Sequence, residues 1–257
     1  VTTETTSVRG HSIGYVQNSS GSILVMDRSE NSQEGSLVTT RSNGLATSVD
    51  ISFSGSMTDG TSIPKGGNLK VDPNNTTIFK SGDSFLTNVA SSGNYLAVRY
   101  NTKNGSTNFV SYAVGGNKSG SMPTTGSATF NGTAGATVFG SDTGQAEVTG
   151  SSQLTATFAP GGGSIEGRLY NLSGPLQGTD ILLNRRTLNG SNFQNGEVSL
   201  MNGGNYVPMT GSDYQGAFFG SGANEVAGTF HFGAQNVPKP GGGNQSVEGV
   251  GFFAASR

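Results

Sequence analysis

The chain has no cysteine, no tryptophan, few charged residues and no long apolar run, and each shortage removes a class of chemistry. Without Cys there is no structural disulfide, no thiolate nucleophile and no thiolate-ligated metal. A lipid-anchoring Cys, if one precedes Val1, lies outside this sequence. Charged residues make up 12% of the chain and the net charge is −2, which is unlike the high charge of chains that stay disordered. Before Pro123 there are 9 Lys and Arg against 8 Asp and Glu, and after it 5 against 8, so the two parts stand near +1 and −3. The only adjacent basic pair is Arg185 and Arg186. Phosphate backbones need clustered cations, so a nucleic-acid partner is excluded.

No stretch approaches the roughly 20 apolar residues of a spanning helix, and the first residues carry no signal peptide. The expectation is a mature, water-soluble, exported chain. An outer-membrane barrel is the rival, but it needs a lipid-facing apolar band edged by aromatics. Here the second faces of the strand candidates are Ser, Thr, Asn and Gln, which suit water better.

What is abundant points to strands and turns. There are 42 Gly, and Thr, Val, Phe and Tyr recur between Gly and Asn, while the long runs of Ala, Leu, Glu and Lys that build helices are missing. At 257 residues the chain is long enough for one or two domains with a hydrophobic core. Residues 115–126 string together turn formers with one Pro and almost nothing to bury, which marks a boundary between domains 1–121 and 122–257. Before it, strand candidates at 12–16, 22–26, 49–53, 85–89, 94–100 and 108–114 are irregularly spaced, which predicts a small irregular sheet with long loops. After it, alternating segments recur about every 8 to 15 residues, as an antiparallel barrel requires.

The most specific passage is 216–230, read as Gly216, Phe218, Gly220, Ala223, Glu225, Gly228 and Phe230 at fixed spacing. It resembles the signature of the transferrin-binding-protein-B-like β-barrel family. Residues 127–132 resemble that family's first barrel strand, and 250–257 its closing strand, with Ala255 and Ser256 departing from the usual ending. Phe218 and Phe230 suit inward barrel positions beside Gly. The resemblance covers about half the chain and implies an all-β protein: an N-terminal irregular handle domain followed by a C-terminal eight-stranded antiparallel barrel. It also implies export to the surface of a Gram-negative bacterium or release from it through a Slam-type translocon. The implied task is ligand binding by the handle for nutrient acquisition, with a TonB-dependent outer-membrane receptor as cognate partner. The nearest resemblance is to hemophilin-type haem carriers, so the leading expectation is a monomeric haem-capturing hemophore. The alternative is a surface protein that grips a host or partner protein, of the transferrin- or complement-regulator-binding type, through handle loops.

Haem capture needs an axial ligand in an apolar pocket. Only two His exist. His11 follows Arg9 and precedes Tyr15; it reads either as an exposed residue near the terminus or as the iron ligand, with Arg9 placed to meet a propionate. His231 alternates with Phe230 and Phe232, so it points away from the lumen and reads as a solvated strand residue. Joint ligation by both would need the handle to lie across the outer barrel wall. Tyr15, Tyr95, Tyr100 and Tyr112 are candidate ligands or pocket walls, or else ordinary half-buried strand aromatics. Tyr95 and Tyr100, five apart, must face opposite sides of a strand. Met26 and Met57 are weaker candidates. No nucleophile–base pair or carboxylate dyad is legible, so no enzyme is expected.

Overall fold

The computed structural model describes residues 1–20, 22–29 and 32–257, and among these there is no α-helix. The N-terminal part holds β1 (Thr2–Gln17), β2 (Ile23–Arg28), β3 (Gln33–Ser42), β4 (Leu45–Phe53), β5 (Gly66–Asp72), β6 (Asn75–Ser81), β7 (Ser84–Ser91), β8 (Tyr95–Asn104) and β9 (Thr107–Gly116). They hydrogen-bond in the order β1, β3, β4, β5, β6, β7, β8, β9, and β9 pairs back onto β1 from Val8↔Gly115 to Tyr15↔Asn108. The ring is closed, and β2 lies beside the C-terminal half of β1. This corrects the expected irregular sheet. The strands range from 6 to 16 residues and several pairings carry bulges, so their spacing along the chain looks irregular although the wall is continuous.

Alternation divides the wall into two faces. Val8, Val98, Tyr100 and Phe109 point into the handle lumen with Leu37, Val49, Ile51 and Leu69. Met57 and Ile63, from the long segment between β4 and β5, join the same core. The other face of the same strands carries Ile13, Tyr15, Ala97, Val110, Tyr112 and Val114.

The C-terminal part runs β10 (Ser127–Gly140), β11 (Gly144–Ala159), β12 (Gly162–Tyr170), a single 3₁₀ turn (Gly174–Leu176), β13 (Thr179–Thr187), β14 (Asn192–Gly196), β15 (Val198–Asn202), β16 (Asn205–Val207), β17 (Met209–Phe219), β18 (Glu225–Pro238) and β19 (Asn244–Ser256). The antiparallel sheet is continuous from β14 through β17, β18, β19 and β10 to β16, and it curls around one core. Its edges meet through a side chain: Ser212 Oγ accepts from Val198 N (2.9 Å) and donates to Val198 O (3.0 Å). Phe218 sits at the centre of the lumen against Phe130 (5.6 Å between ring centroids), Phe158 (5.9 Å) and Phe193 (6.1 Å). Two signature glycines make room for these rings. A Cβ on Gly216 would stand 2.4 Å from Phe193 Cζ, and one on Gly228 would stand 2.4 Å from Phe253 Cζ.

The connector is tied down. Asn117 N–H donates to Asn94 O (2.7 Å), Ser119 N–H to Phe218 O (2.9 Å) and Ser119 Oγ to Gly220 O (2.6 Å). The outward face of β1, β8 and β9 therefore lies flat on the outer wall formed by β17, β18 and β19.

Candidate functional site

Four of the six residues singled out from the sequence meet on this contact, which is a sealed seam. Tyr15 packs on Phe139 (4.7 Å between rings), Tyr95 on Phe219 (5.7 Å) and Tyr112 on Phe252 (5.9 Å, interplanar 20°). The Tyr112 hydroxyl bonds Thr137 Oγ1 (3.1 Å) and Glu147 Oε2 (3.4 Å). Burial pushes the phenol pKa of Tyr15, Tyr95 and Tyr112 upward, which keeps these rings neutral. Tyr100, five residues from Tyr95, does face the other way: it fills the handle lumen and its hydroxyl donates to Pro64 O (3.1 Å). Met57 belongs to that lumen; the Met26 side chain lies outside the described residues.

His11 lies at the centre of the seam, with 0% exposure. Its Nε2 is 2.7 Å from Asp213 Oδ2 and its Nδ1 is 2.8 Å from Thr229 Oγ1. Asp213 Oδ2 also accepts the Ser32 N–H (3.2 Å), and Gln215 Nε2 donates to Thr229 Oγ1 (2.9 Å) and to Arg9 O (3.2 Å). The network assigns the protons: Gln215 donates to Thr229, the Thr229 hydroxyl donates to Nδ1, and Nε2–H donates to the carboxylate. Neither nitrogen of His11 is free for iron in this arrangement. A hydroxyl, imidazole and carboxylate in line resemble a hydrolytic relay, but Thr229, His11 and Asp213 are all buried between two walls, where no substrate fits.

His231 does point away from the lumen, as alternation requires, yet it is not solvated: 2% of it is exposed. The handle covers it, and its ring stands 5.2 Å from that of His11, tilted by 50°. Burial first, then the neighbouring His11 and Arg28, push its pKa down to about 2, and its Nδ1 has no hydrogen-bond partner. A porphyrin has no room between the two rings. No group of three His, Cys, Asp or Glu side chains placed to hold a metal exists among the described residues.

The seam's rim is polar. Arg28 donates to Glu248 Oε2 (2.7 Å) and to Thr210 O (3.0 Å), and Arg99 pairs with Glu147 (2.8 Å). Glu225 of the signature accepts from Asn94 Nδ2 (2.8 Å) and Ser92 Oγ (3.0 Å), both at the turn between β7 and β8. Arg9 forms an ion pair with Glu34 at the margin. Asp213, Gln215 and Thr229 escaped the sequence reading because each lies about 200 residues from His11. A local signal exists: in the β17–β18 hairpin Asp213 faces His231 and Gln215 faces Thr229, all on the outward face.

A further apolar surface of the handle lies away from the seam, on β4, β5 and β6. Leu45, Ala46, Val71 and Phe79, with Thr47, Thr76 and Lys70, line a groove of about 480 Å³ on β4, β5 and β6. Leu45 is 74% exposed. Lys70 stands directly across from Lys80, which is held by Asp72 (2.7 Å), and Lys70 has no ion-pair partner among the described residues.

Residues 122–257 match the family model of the C-lobe and N-lobe β-barrels of Tf-binding protein B. No curated protein matches the sequence. Solved structures similar to this chain include a surface lipoprotein at 13% identity, covering 96% of this chain and 98% of that one, with a TM-score of 0.46. They also include transferrin binding protein B from serogroup B Neisseria meningitidis, at 10% identity over 99% of this chain and 77% of that one, TM-score 0.43. A mutant of the same protein from Actinobacillus pleuropneumoniae is 14% identical over 96% and 98% of the two chains, TM-score 0.43.

Proposed function

Since this chain belongs to the family of the C-lobe and N-lobe β-barrels of transferrin-binding protein B, we propose that it is an exported ligand-binding protein whose handle grips a folded host protein. The observation that carries this reading is the groove on β4, β5 and β6. It lies away from the seam, it exposes Leu45 and part of Phe79, and it carries the unpaired cation Lys70. Protein contacts bury an apolar core inside a polar rim. The locked seam supports the same reading, because it holds that wall at a fixed orientation to the barrel. Haem as the ligand lacks such support, since His11 is bonded at both nitrogens and His231 is sealed beneath the handle. Family membership favours a location at or released from the Gram-negative cell surface, with a Slam-type translocon for export and a TonB-dependent receptor as the delivery partner.

The test is retention on the immobilised chain, with host transferrin as the first probe because similar structures carry that name, and whole serum as the second. The double variant Leu45→Ser, Lys70→Glu replaces exposed side chains, so its melting curve should match the wild type. Its affinity for the retained protein should fall at least about tenfold, or roughly 1.4 kcal/mol. Retention unchanged in the variant, or no retained protein from either source, overturns the proposal.

A further inference from the structure

At one margin of the seam a cleft of about 440 Å³ opens between the handle, the connector and the barrel. Its size falls in the range of small-molecule sites. The apolar part of its lining is Val8 from β1, Val114 from β9, Ala217 and Phe219 from β17, and Ala227 from β18. Its charged groups are Arg9, Glu34 and Lys118. Arg9 and Glu34 neutralise each other. Lys118 has no carboxylate: its Nζ donates only to the amide oxygen of Asn192, at 2.7 Å. The cleft therefore holds two cations against one carboxylate, next to an apolar floor. The crowding registers on Lys118, whose pKa is pushed down by desolvation first and by the nearby Arg9 second, although much of its side chain is exposed.

We propose that this cleft binds a small organic carboxylate with an apolar body, the carboxylate received by Lys118 and the body laid on Val114, Ala217 and Phe219. A carboxylate would give Lys118, which has no ion-pair partner among the described residues, a charge-assisted hydrogen bond in place of the neutral one to Asn192. Since the lining comes from both domains, the bound acid bridges them. This site is separate from the groove on β4, β5 and β6 and does not depend on it.

The probe is hydrocinnamate, with its neutral amide, hydrocinnamamide, as the comparison, followed by backbone-amide NMR shifts on isotope-labelled full chain. Hydrocinnamate should give saturable shifts at Val114, Ala217 and Lys118 and raise the melting temperature. Hydrocinnamamide should bind about tenfold more weakly. Lys118→Gln should lose the same factor, Lys118→Arg should keep wild-type affinity, and Lys103→Gln, on an exposed strand end, should change nothing. Absence of saturable shifts, equal binding of acid and amide, or unchanged affinity in Lys118→Gln each overturns the proposal. The melting curves of the free variants show that they are folded, since Lys118 contributes only a surface hydrogen bond.

Discussion

Replacing Asp213 with Ala is expected to lower stability by about 3 to 5 kcal/mol, the range seen when one member of a buried polar pair is removed. The carboxylate is 3% exposed and accepts from both His11 Nε2 and the Ser32 N–H. Its loss leaves the buried His11 donor without an acceptor, at a cost of about 1 to 3 kcal/mol, and frees the part-buried Ser32 N–H as well. Asp213→Asn keeps an acceptor oxygen and should cost less than half as much. The double variant His11→Phe, Asp213→Leu removes both sides of the pair and should recover most of the loss, because apolar groups of similar size often replace a buried pair at little cost. Urea denaturation followed by circular dichroism measures all three, the chain having no Trp to report by fluorescence. A loss below about 1 kcal/mol in Asp213→Ala would mean that the seam does not depend on this pair.

Acid is expected to open the seam, and His231 is the group that makes it do so. In the closed protein its ring stays neutral down to about pH 2, while an exposed imidazole titrates near 6.5. Below pH 6.5 the opened form binds a proton that the closed form refuses, so stability falls as the pH falls, by about 1.4 kcal/mol per pH unit. Above pH 6.5 both forms are neutral at this site and the contribution is flat. By pH 4.5 the loss amounts to about 3 kcal/mol. Groups around the ring modify this slope. The Arg28 guanidinium, with the neighbouring His11, opposes protonation of His231 in the closed form. Glu248 acts the other way: burial raises its pKa against the pull of Arg28, so the closed form takes up that carboxyl proton more readily and part of the loss is offset. Asp213, opposite His231 in the β17–β18 hairpin, is held by His11. His231→Leu removes the titrating ring and its unpartnered Nδ1, so its stability should change much less between pH 7 and 4.5. An acid slope as steep in His231→Leu as in the wild type would assign the effect elsewhere.

The barrel half was legible because its code is local. The run from Gly216 to Phe230 places two Phe in one lumen and two Gly under neighbouring rings, and strict alternation sends His231 outward; in the handle the same rule puts Tyr95 and Tyr100 on opposite faces of β8. These are properties of residues two or five apart. Closure of the handle ring was not legible, since it rests on β1 pairing with β9 about 100 residues later, and bulges in β1, β4 and β7 hide the periodicity of the strands between. The seam was invisible for the same reason. His11 looks like a solitary ligand until the outward faces of β1 and β17 are brought together, and only then does it acquire Asp213 and Thr229. Outward polar residues on a strand read as solvated in the absence of a second wall, which is why His231 suggested surface and proved to be interior. Tyr15 and Tyr112 likewise have the size and amphipathic character of pocket walls, and the pocket they line is filled by Phe139 and Phe252.

His11 joins the two domains through Asp213 and Thr229. A hemin titration read at the Soret band, on the wild type and on a folded His11→Ala variant, tests this role most directly. The account predicts that the two proteins give the same spectra, because neither His11 nitrogen reaches iron while bonded to Asp213 and Thr229. A Soret shift in the wild type that disappears in His11→Ala would contradict it.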